Sequence, residues 1–265
     1  IMGLAQTGTG KTAAFVLPIL QRLLTGPRHQ VRTLIVAPTR ELAEQIHEDI
    51  TRMARQTGLR SLAIYGGVGK TPQINKIRAG VEIIVACPGR LLDHLREGNL
   101  CLAKVEHLVL DEADHMFDMG FLPDLRRILK YLPAKRQTLL FSATMPGEIR
   151  HLAEEVLDNP VRVQIAHSRP TATVAQVLYA VEQDYKTTLL KEIMAKTDMA
   201  STLIFTRTKH RAVNLARQLQ SAGYTATSLQ GNLSQQKRQQ ALNGFKRGEY
   251  KVLVATDIAA RGIDV

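Results

Sequence analysis

Short runs of apolar residues recur along the chain, and polar, glycine or proline residues follow each run. The runs occupy residues 1–4, 34–37, 83–86, 108–110 and 139–141. Uninterrupted apolar runs of this length indicate strands that are buried on both faces. Between them, apolar residues recur at a spacing near four, as at Leu42, Ile46, Ile50 and Met53, which is typical of helices with one buried face. The alternation of strand and helix predicts an α/β fold built on doubly wound parallel sheets.

The alternation stops once and then restarts. Residues 161–165 alternate like a final edge strand, and residues 167–173 have the polar, proline-containing character of a linker. After an extended run over 174–181, the pattern predicts helices at 186–196, 212–220 and 235–245, and strands at 202–205, 225–229 and 252–255. We therefore expect two domains of similar build, 1–166 and 174–265, joined by a linker over 167–173.

Composition adds a constraint on partners. Among 265 residues, 35 Lys and Arg against 24 Asp and Glu give a formal charge of +11, which favours a polyanionic partner such as nucleic acid. Two cysteines, Cys87 and Cys101, cannot build a disulfide framework or a four-ligand metal site, and they favour a reducing, cytoplasmic setting. No apolar run approaches the length of a membrane span, so no membrane contact is expected.

A glycine-rich loop, AQTGTGKT over 5–12, separates the first predicted strand from a predicted helix over 13–24. Gly8 and Gly10 allow backbone amides to turn toward a phosphate group, and Lys11 adds a full positive charge. Thr12 is placed to ligate Mg²⁺. Because the loop opens with alanine where the generic pattern has glycine, a structural turn remains an alternative to a nucleotide-binding loop.

Acidic residues follow the predicted strand 108–110 directly. Carboxylates at the end of a buried strand are costly unless they serve a cation. Asp111 is suited to hold Mg²⁺ through its water shell, and Glu112 to orient or deprotonate the water that attacks a terminal phosphate. The alternative interpretation of the tetrapeptide is an acidic N-cap of a helix.

Several motifs together resemble the DEAD-box RNA helicases, whose name is the tetrapeptide at 111–114 in one-letter code. In order, the chain contains AQTGTGKT (5–12), PTRELA (38–43), Gly66-Gly67, CPGR (87–90), DEAD (111–114), SAT (142–144), LIFTRTK (203–209), QQKR (235–238) and ATDIAARGIDV (255–265). The likeness is greatest to bacterial members. It implies two RecA-like domains, the P-loop NTPase fold, that close on ATP and single-stranded RNA.

The resemblance also implies roles for single residues. Nucleotide and Mg²⁺ would be held by Gly8, Thr9, Gly10, Lys11, Thr12 and Asp111, and the nucleotide ribose by Gly262 and Asp264. Lys11, Asp111 and Glu112 would serve catalysis. The hydroxyls of Ser142 and Thr144 would bond the DEAD carboxylates, Asp114 among them, and couple nucleotide state to closure; their alternative is a cap for the following helix.

RNA contacts are implied at Thr39, Arg40, Gly66, Gly67, Gly89, Arg90, Arg207, Thr208, Gln235, Arg238, Thr256 and Asp257. Hydroxyl, guanidinium and backbone donors of this kind grip sugar and phosphate without reading bases. A helix cap at Thr39, a tight turn at Gly66-Gly67 and solvated surface charges in the second domain are the alternatives. Cys87 stands where the family usually has Thr, so either a phosphate hydrogen bond is lost or the thiol packs in the core.

The expected function is ATP-dependent unwinding of short RNA duplexes or remodelling of ribonucleoproteins, with ATP and Mg²⁺ as cofactors. RNA-decay or ribosome-assembly factors are expected partners. A nucleotide-gated RNA clamp and a P-loop ATPase acting on DNA or protein remain alternatives. The chain begins inside a strand and stops inside a motif, so we expect a fragment with an incomplete second domain and low activity. The family's adenine-reading segment and its downstream arginine motif would lie beyond the two ends.

Overall fold

The computed structural model describes residues 1–5, 9–164, 175–197 and 201–256. The chain divides into two compact units, whose described parts are 1–164 and 175–256. The predicted linker lies outside the described residues, and the boundaries at 166 and 174 therefore stay a prediction.

A parallel sheet forms the centre of the first unit. Its strands lie in the order β3-β4-β2-β5-β6-β1-β7, and every neighbouring pair is parallel. Their bounds are β1 Met2–Leu4, β2 Thr33–Val36, β3 Ser61–Ile64, β4 Ile83–Ala86, β5 His107–Leu110, β6 Gln137–Ser142 and β7 Arg162–Gln164. The helices are α1 Lys11–Leu23, α2 Arg40–Met53, α3 Lys70–Arg78, α4 Pro88–Arg96, α5 Ala113–Asp118, α6 Leu122–Leu129 and α7 Gly147–Val156.

Apolar residues on both faces of the strands place this sheet between two layers of helices. Along β4, Ile83 and Val85 join one hydrophobic cluster, whereas Ile84 and Ala86 join the other. This alternation follows from the two-residue period of a strand. It explains why the central strands consist of continuous apolar runs.

The first strand lies inside the sheet, between two strands that come much later in the chain. Met2 is in register with Leu140 of β6 on one side and with Arg162 of β7 on the other. A Cβ atom at Gly3 would lie 2.5 Å from the Phe141 ring, so this position requires glycine. The insertion brings the glycine-rich loop after β1 next to the end of β6.

The second unit has a smaller parallel sheet in the order β8-β10-β9, formed by β8 Thr202–Thr206, β9 Ala226–Leu229 and β10 Val252–Thr256. Its helices are α8 Lys186–Lys196, α9 Lys209–Ser221 and α10 Gln235–Lys246, with a short 3-10 helix at Gln183–Tyr185. Helix α9 packs on one face of the sheet and α10 on the other. The predicted α/β class with parallel sheets is confirmed.

The extended run predicted at 174–181 forms no strand within its described part, residues 175–181. Val177, Leu178 and Tyr179 are exposed there. A strand is stable only when a neighbour pairs with its backbone, and the described residues provide none here. No helix in the described ranges is both long enough and apolar enough to cross a membrane.

Candidate functional site

The residues predicted to carry chemistry in the first unit follow the carboxyl ends of its strands. Lys11 begins the helix after β1, Arg40 the helix after β2, and Arg90 lies in the first turn after β4. Asp111 follows β5 and Thr144 follows β6. Since the strands are all parallel, these ends share one edge of the sheet, where ligands bind in open α/β folds. We call it the carboxyl edge.

The glycine-rich loop enters α1 through Gly10, whose φ of 81° is left-handed. The first turn of α1 has no acidic residue, and its N-cap Gly10 has no side chain to cap the helix, which suits the helix N-terminus to an anion. Lys11 Nζ donates to the backbone oxygen of Ala5 at 2.9 Å, which folds the ammonium group back across the loop. Thr9 is exposed and Thr12 half-buried, while Gly8 lies outside the described residues.

Asp111 is a buried carboxylate, with only 3% of its surface exposed. One oxygen accepts a hydrogen bond from the Glu112 amide at 3.0 Å. Burial raises the pKa of Asp111 to about 6, with smaller contributions from the charges of Lys11, which lowers it, and Glu112, which raises it. A cation that binds near a carboxylate buried in this way stabilises its ionised form.

Glu112 has an unusual backbone for a residue with a side chain, with φ and ψ both at 52°. The left-handed region costs a residue other than glycine about 1 kcal/mol, and such strain is concentrated at functional sites. The carboxylate is buried, and its Oε2 lies 2.9 Å from Nδ1 of His115. Glu112 occupies the N-cap position of α5, as the alternative interpretation of the tetrapeptide has it, but its side chain makes no capping hydrogen bond.

Asp114 and the loop after β6 are joined by several hydrogen bonds. Thr144 donates its amide and its hydroxyl to Asp114 Oδ2, at 2.9 and 2.8 Å. Ser142 bonds differently from the expectation, because its hydroxyl accepts from the Asp114 amide at 3.2 Å and donates to the Thr144 carbonyl at 2.7 Å. Burial, the largest single effect, raises the pKa of Asp114, but the two bonds from Thr144, the Ser142 hydroxyl and the charge of His115 together bring the pKa below its usual value.

The cap interpretation fails for both hydroxyls. Helix α7 begins at Gly147 with Pro146 as its N-cap, and no side chain caps it. The described hydrogen bonds of the Ser142 and Thr144 hydroxyls are formed with Asp114 and between these two residues. These hydrogen bonds attach the loop after β6 to Asp114.

Arg40 lies against the glycine pair that follows β3. A side chain at Gly67, where φ is +80°, would run into the Arg40 guanidinium, and a Cβ atom at Gly66 would lie 3.7 Å from it. Arg90 Nη1 donates to the Val68 carbonyl at 3.0 Å. Two arginines thus flank one glycine loop, and the structure brings together four of the predicted RNA-binding residues.

Thr39 and Gly89 complete this group. The Thr39 hydroxyl oxygen accepts from the Leu42 amide at 3.3 Å and caps α2, so the alternative interpretation describes that oxygen correctly. Gly89 is exposed, and a Cβ atom there would meet nothing within 4 Å. Cys87 packs in a hydrophobic cluster, where burial raises the pKa of its thiol to about 12.

The sequence did not predict the contact between Gln73 and His94, two polar residues close to the glycine loop. Gln73 on α3 donates to the Tyr65 carbonyl at 3.0 Å, and its Oε1 lies 2.9 Å from Nε2 of His94 on α4. Arg90 reaches the same Oε1 at 3.4 Å. His94 is fully buried. The available signal was a glutamine four positions before Ile77 on the buried side of a helix, where an apolar residue is expected.

In the second unit, predicted residues also follow strand ends. Arg207 and Thr208 come directly after β8, and Thr256 ends β10. Thr208 accepts from the Arg211 amide at 3.2 Å and caps α9. Lys and Arg greatly outnumber the acids in this unit, and between 201 and 256 Glu249 is the one acidic residue of the sequence.

Gln235 and Arg238 lie on α10 and are 7% and 9% exposed. The solvated-surface interpretation is therefore wrong for these two residues. Asp257, Gly262 and Asp264 lie outside the described residues, so their assigned roles stay predictions.

The described residues contain no group of three or more His, Cys, Asp or Glu side chains arranged to hold a metal ion. An ion that arrives with nucleotide phosphates needs no such cage, because Mg²⁺ is commonly bound by one or two protein groups, the phosphates and water. Asp111 and Thr12 suit this way of binding Mg²⁺, since Asp111 is a buried carboxylate and Thr12 has a hydroxyl and follows Lys11 in the chain.

Comparison with known proteins adds two family matches. The model of the DEAD/DEAH box helicase family matches residues 1–152, and that of the helicase conserved C-terminal domain matches residues 185–265.

Curated relatives match over the whole chain. An ATP-dependent RNA helicase, CshA, of Listeria monocytogenes is 44% identical, with 100% of this chain and 51% of the relative aligned. The DEAD-box ATP-dependent RNA helicase RhpA of Helicobacter pylori is 40% identical, and 54% of it is aligned. The chain thus spans about half the length of these relatives.

Solved structures of DEAD-box proteins also match the whole chain. Dbp5 of S. cerevisiae bound to RNA and ADP BeF3 has a TM-score of 0.87 and 33% identity, covering 100% of this chain and 67% of that one. A DEAD box protein of Methanococcus jannaschii has a TM-score of 0.59 and 36% identity, covering 100% of this chain and 71% of that one.

Proposed function

Because this chain belongs to the DEAD/DEAH box helicase family, we propose that the whole protein is an ATP-dependent RNA helicase. It would couple ATP hydrolysis to unwinding short RNA duplexes or remodelling ribonucleoproteins. The fold class predicted from the sequence, α/β with two RecA-like parallel-sheet domains, is confirmed by the same likenesses, and the second domain is the smaller.

The observation that carries the proposal is the placement of Lys11, Asp111 and Glu112 at one carboxyl edge, at the ends of β1 and β5, which flank β6. The charge of Lys11 acts on the buried Asp111 carboxylate. Phosphoryl transfer depends on a cationic cradle for phosphate and a carboxylate that orients water, and these side chains supply both.

Mg²⁺ would be held by Asp111 and Thr12, together with the nucleotide. It supplies charge neutralisation on the phosphates when it is bound. Glu112 would orient the attacking water, and His115 holds the Glu112 carboxylate from the other side. Gly8, Thr9 and Gly10 would offer backbone amides to the phosphates, and Gly262 and Asp264 would contact the ribose.

RNA would be gripped along the sugar–phosphate backbone. In the first unit, Arg40 and Arg90 flank the Gly66-Gly67 loop, and Thr39 and Gly89 lie beside them. In the second unit, the proposed contacts are Arg207, Thr208, Gln235, Arg238, Thr256 and Asp257. Contacts to phosphate carry no sequence information, so binding should be largely independent of sequence and steeply dependent on salt.

Coupling would run through Asp114 and Thr144. The carboxylate that follows the water-orienting Glu112 is tied by two hydrogen bonds to the loop after β6. A change at the nucleotide that moves the DEAD segment would therefore move this loop as well. We further propose domain boundaries at 1–166 and 174–265, a cytoplasmic location, and partners among RNA-decay or ribosome-assembly factors.

The test is ATP turnover with and without RNA, measured on the whole protein. RNA should stimulate turnover and DNA should not. Lys11→Ala should abolish nucleotide binding, because it removes a charge on the phosphate, whereas Glu112→Gln should bind nucleotide but stop hydrolysis. Near-normal turnover by Glu112→Gln would refute its assigned role. A strand-separation assay on a short duplex distinguishes a helicase from a nucleotide-gated clamp.

A further inference from the structure

A group of exposed basic side chains lies at the opposite end of the first sheet, where β2, β3 and β4 begin. Five members lie on or next to the three connections that lead into these strands, and we call them the amino-edge patch: Arg28, Arg55, Arg60, Lys76 and Arg78. The side chains of all five are exposed. The carboxyl edge uses none of them.

A single buried carboxylate draws these connections together. Glu82 is 1% exposed, and its two oxygens accept from the amides of His29 and Arg60, at 2.7 and 2.8 Å. Gly80 adopts φ +82°, and a Cβ atom there would lie 2.5 Å from the His29 side chain. The segments that carry Arg28 and Arg60 are thus fixed against each other by buried contacts.

Two of the arginines are held by backbone oxygens. Arg28 Nη2 donates to the Thr57 carbonyl at 3.2 Å, and Arg60 Nη1 donates to the Ala79 carbonyl at 3.4 Å. Within the described part of the chain, no member of the patch forms an ion pair. A guanidinium held by a carbonyl keeps its charge and most of its donors for a ligand.

Helix dipoles explain only part of the patch. Lys76 and Arg78 lie in the last turn of α3, where a basic residue stabilises the negative end of the helix. Arg28 and Arg60 lie outside helices, and Arg55 lies beyond the end of α2. None of these three side chains has an ion-pair partner among the described residues, and the buried Glu82 nearby uses its oxygens on backbone amides.

We propose that the amino-edge patch is a second phosphate-binding surface, used by RNA that extends beyond the carboxyl edge. The proposal rests on the proposed function. Arginine forks match phosphate geometry, and residues 26–32, 54–60 and 76–82 contain no Phe, Tyr or Trp on which a base could stack, His29 being their one aromatic ring. The contact is therefore to the backbone and is insensitive to sequence.

The test compares a patch variant, Arg28→Gln/Arg55→Gln/Arg60→Gln, with a control of equal charge loss, Arg96→Gln/Lys130→Gln/Arg150→Gln. Affinity is measured against salt for RNA strands of about 8 and about 40 nucleotides, since a domain of this size is about 40 Å across and only the longer strand can reach both edges. Three lost phosphate contacts should reduce the salt slope on the long strand by about 2.

The patch variant should bind the long strand several-fold more weakly, match the unchanged protein on the short strand, and differ from the control. An equal effect of both variants on the long strand, or no effect of either, overturns the patch. Failure of the unchanged protein to bind even the short strand overturns the proposed function instead. Should the triple variant unfold, Arg55→Gln/Arg78→Gln makes the same test, because neither side chain has a described hydrogen bond.

Discussion

Thr144 directs both its amide and its hydroxyl at a single carboxylate oxygen of Asp114, at 2.9 and 2.8 Å. Hydrogen bonds to a charged acceptor contribute more to stability than neutral ones. Burial raises the pKa of Asp114, but these two bonds, with the Ser142 hydroxyl and the charge of His115, stabilise its ionised form and bring the pKa below the usual value.

Thr144→Val should reduce the free energy of unfolding by about 1–2 kcal/mol at neutral pH, because it removes the hydroxyl but keeps the shape. Since the folded pKa of Asp114 is lowered, this contribution is present above the unfolded pKa of about 3.8 and disappears as the pH falls through the folded pKa. Urea denaturation at several pH values measures it. Thr144→Ser, which keeps the hydroxyl, is the control. A Val variant as stable as the original at neutral pH would contradict the assignment.

Asp111→Asn should stabilise the protein in the absence of nucleotide. Burial raises the pKa of Asp111 from 3.8 to about 6, so stability falls as the pH rises from the first value to the second and stays lower above it. The expected gain is about 3 kcal/mol at pH 8 and close to zero below pH 4. Denaturation curves at the two pH values give the difference, with Asp158→Asn, an exposed carboxylate, as control. A destabilised Asn variant at pH 8 would rule this out.

Gln73→Leu should weaken RNA binding while leaving nucleotide binding intact. The change removes the bond to the Tyr65 carbonyl that anchors the Gly66-Gly67 loop, and it leaves buried groups without partners, at about 1–3 kcal/mol of stability each. RNA and nucleotide affinities are measured in parallel. Leu152→Ala, a cavity in the same unit, supplies a comparable loss of stability. If it weakened RNA binding equally, Gln73 would have only a structural role.

The two cysteines should differ in reactivity. Cys101 is exposed, whereas Cys87 is buried and its pKa is raised to about 12. Only the thiolate attacks an alkylating reagent. We therefore expect rapid labelling of one thiol in the native protein and of two in denaturant, as counted by mass spectrometry. Native labelling at Cys87 would show that its pocket opens to solvent, and Cys101→Ser is the control that isolates it.

The sequence predicted strands best where both faces are buried. The run at 83–86 is apolar throughout, and β4 occupies that range. Strand β3 was missed because its apolar run is short and begins with the polar Ser61, and a strand at the edge of a sheet needs less apolar surface. The run at 174–181 is the opposite case. Its sequence favours an extended strand, but its described part has no neighbouring strand to pair with and forms none.

The site was predictable as far as motifs mark it. The DEAD and SAT motifs predicted that Asp114 and Thr144 act together. They could not show that the Ser142 hydroxyl accepts from a backbone amide, because that depends on how the loop after β6 turns. The left-handed backbone of Glu112 and the Gln73–His94 contact arise from tertiary packing alone. Such features carry no periodic signal in the sequence.

The position of β1 in the sheet has a consequence for biosynthesis. Residue 2 pairs with residues 140 and 162, so β1 cannot take its place in the sheet until the much later strands β6 and β7 have been made. Closing so long a loop is slow, and chains emerge from the ribosome amino end first. The glycine-rich loop is attached to that waiting strand. The strand that leads into this loop therefore gains its neighbour in the sheet only after β6 has been synthesised.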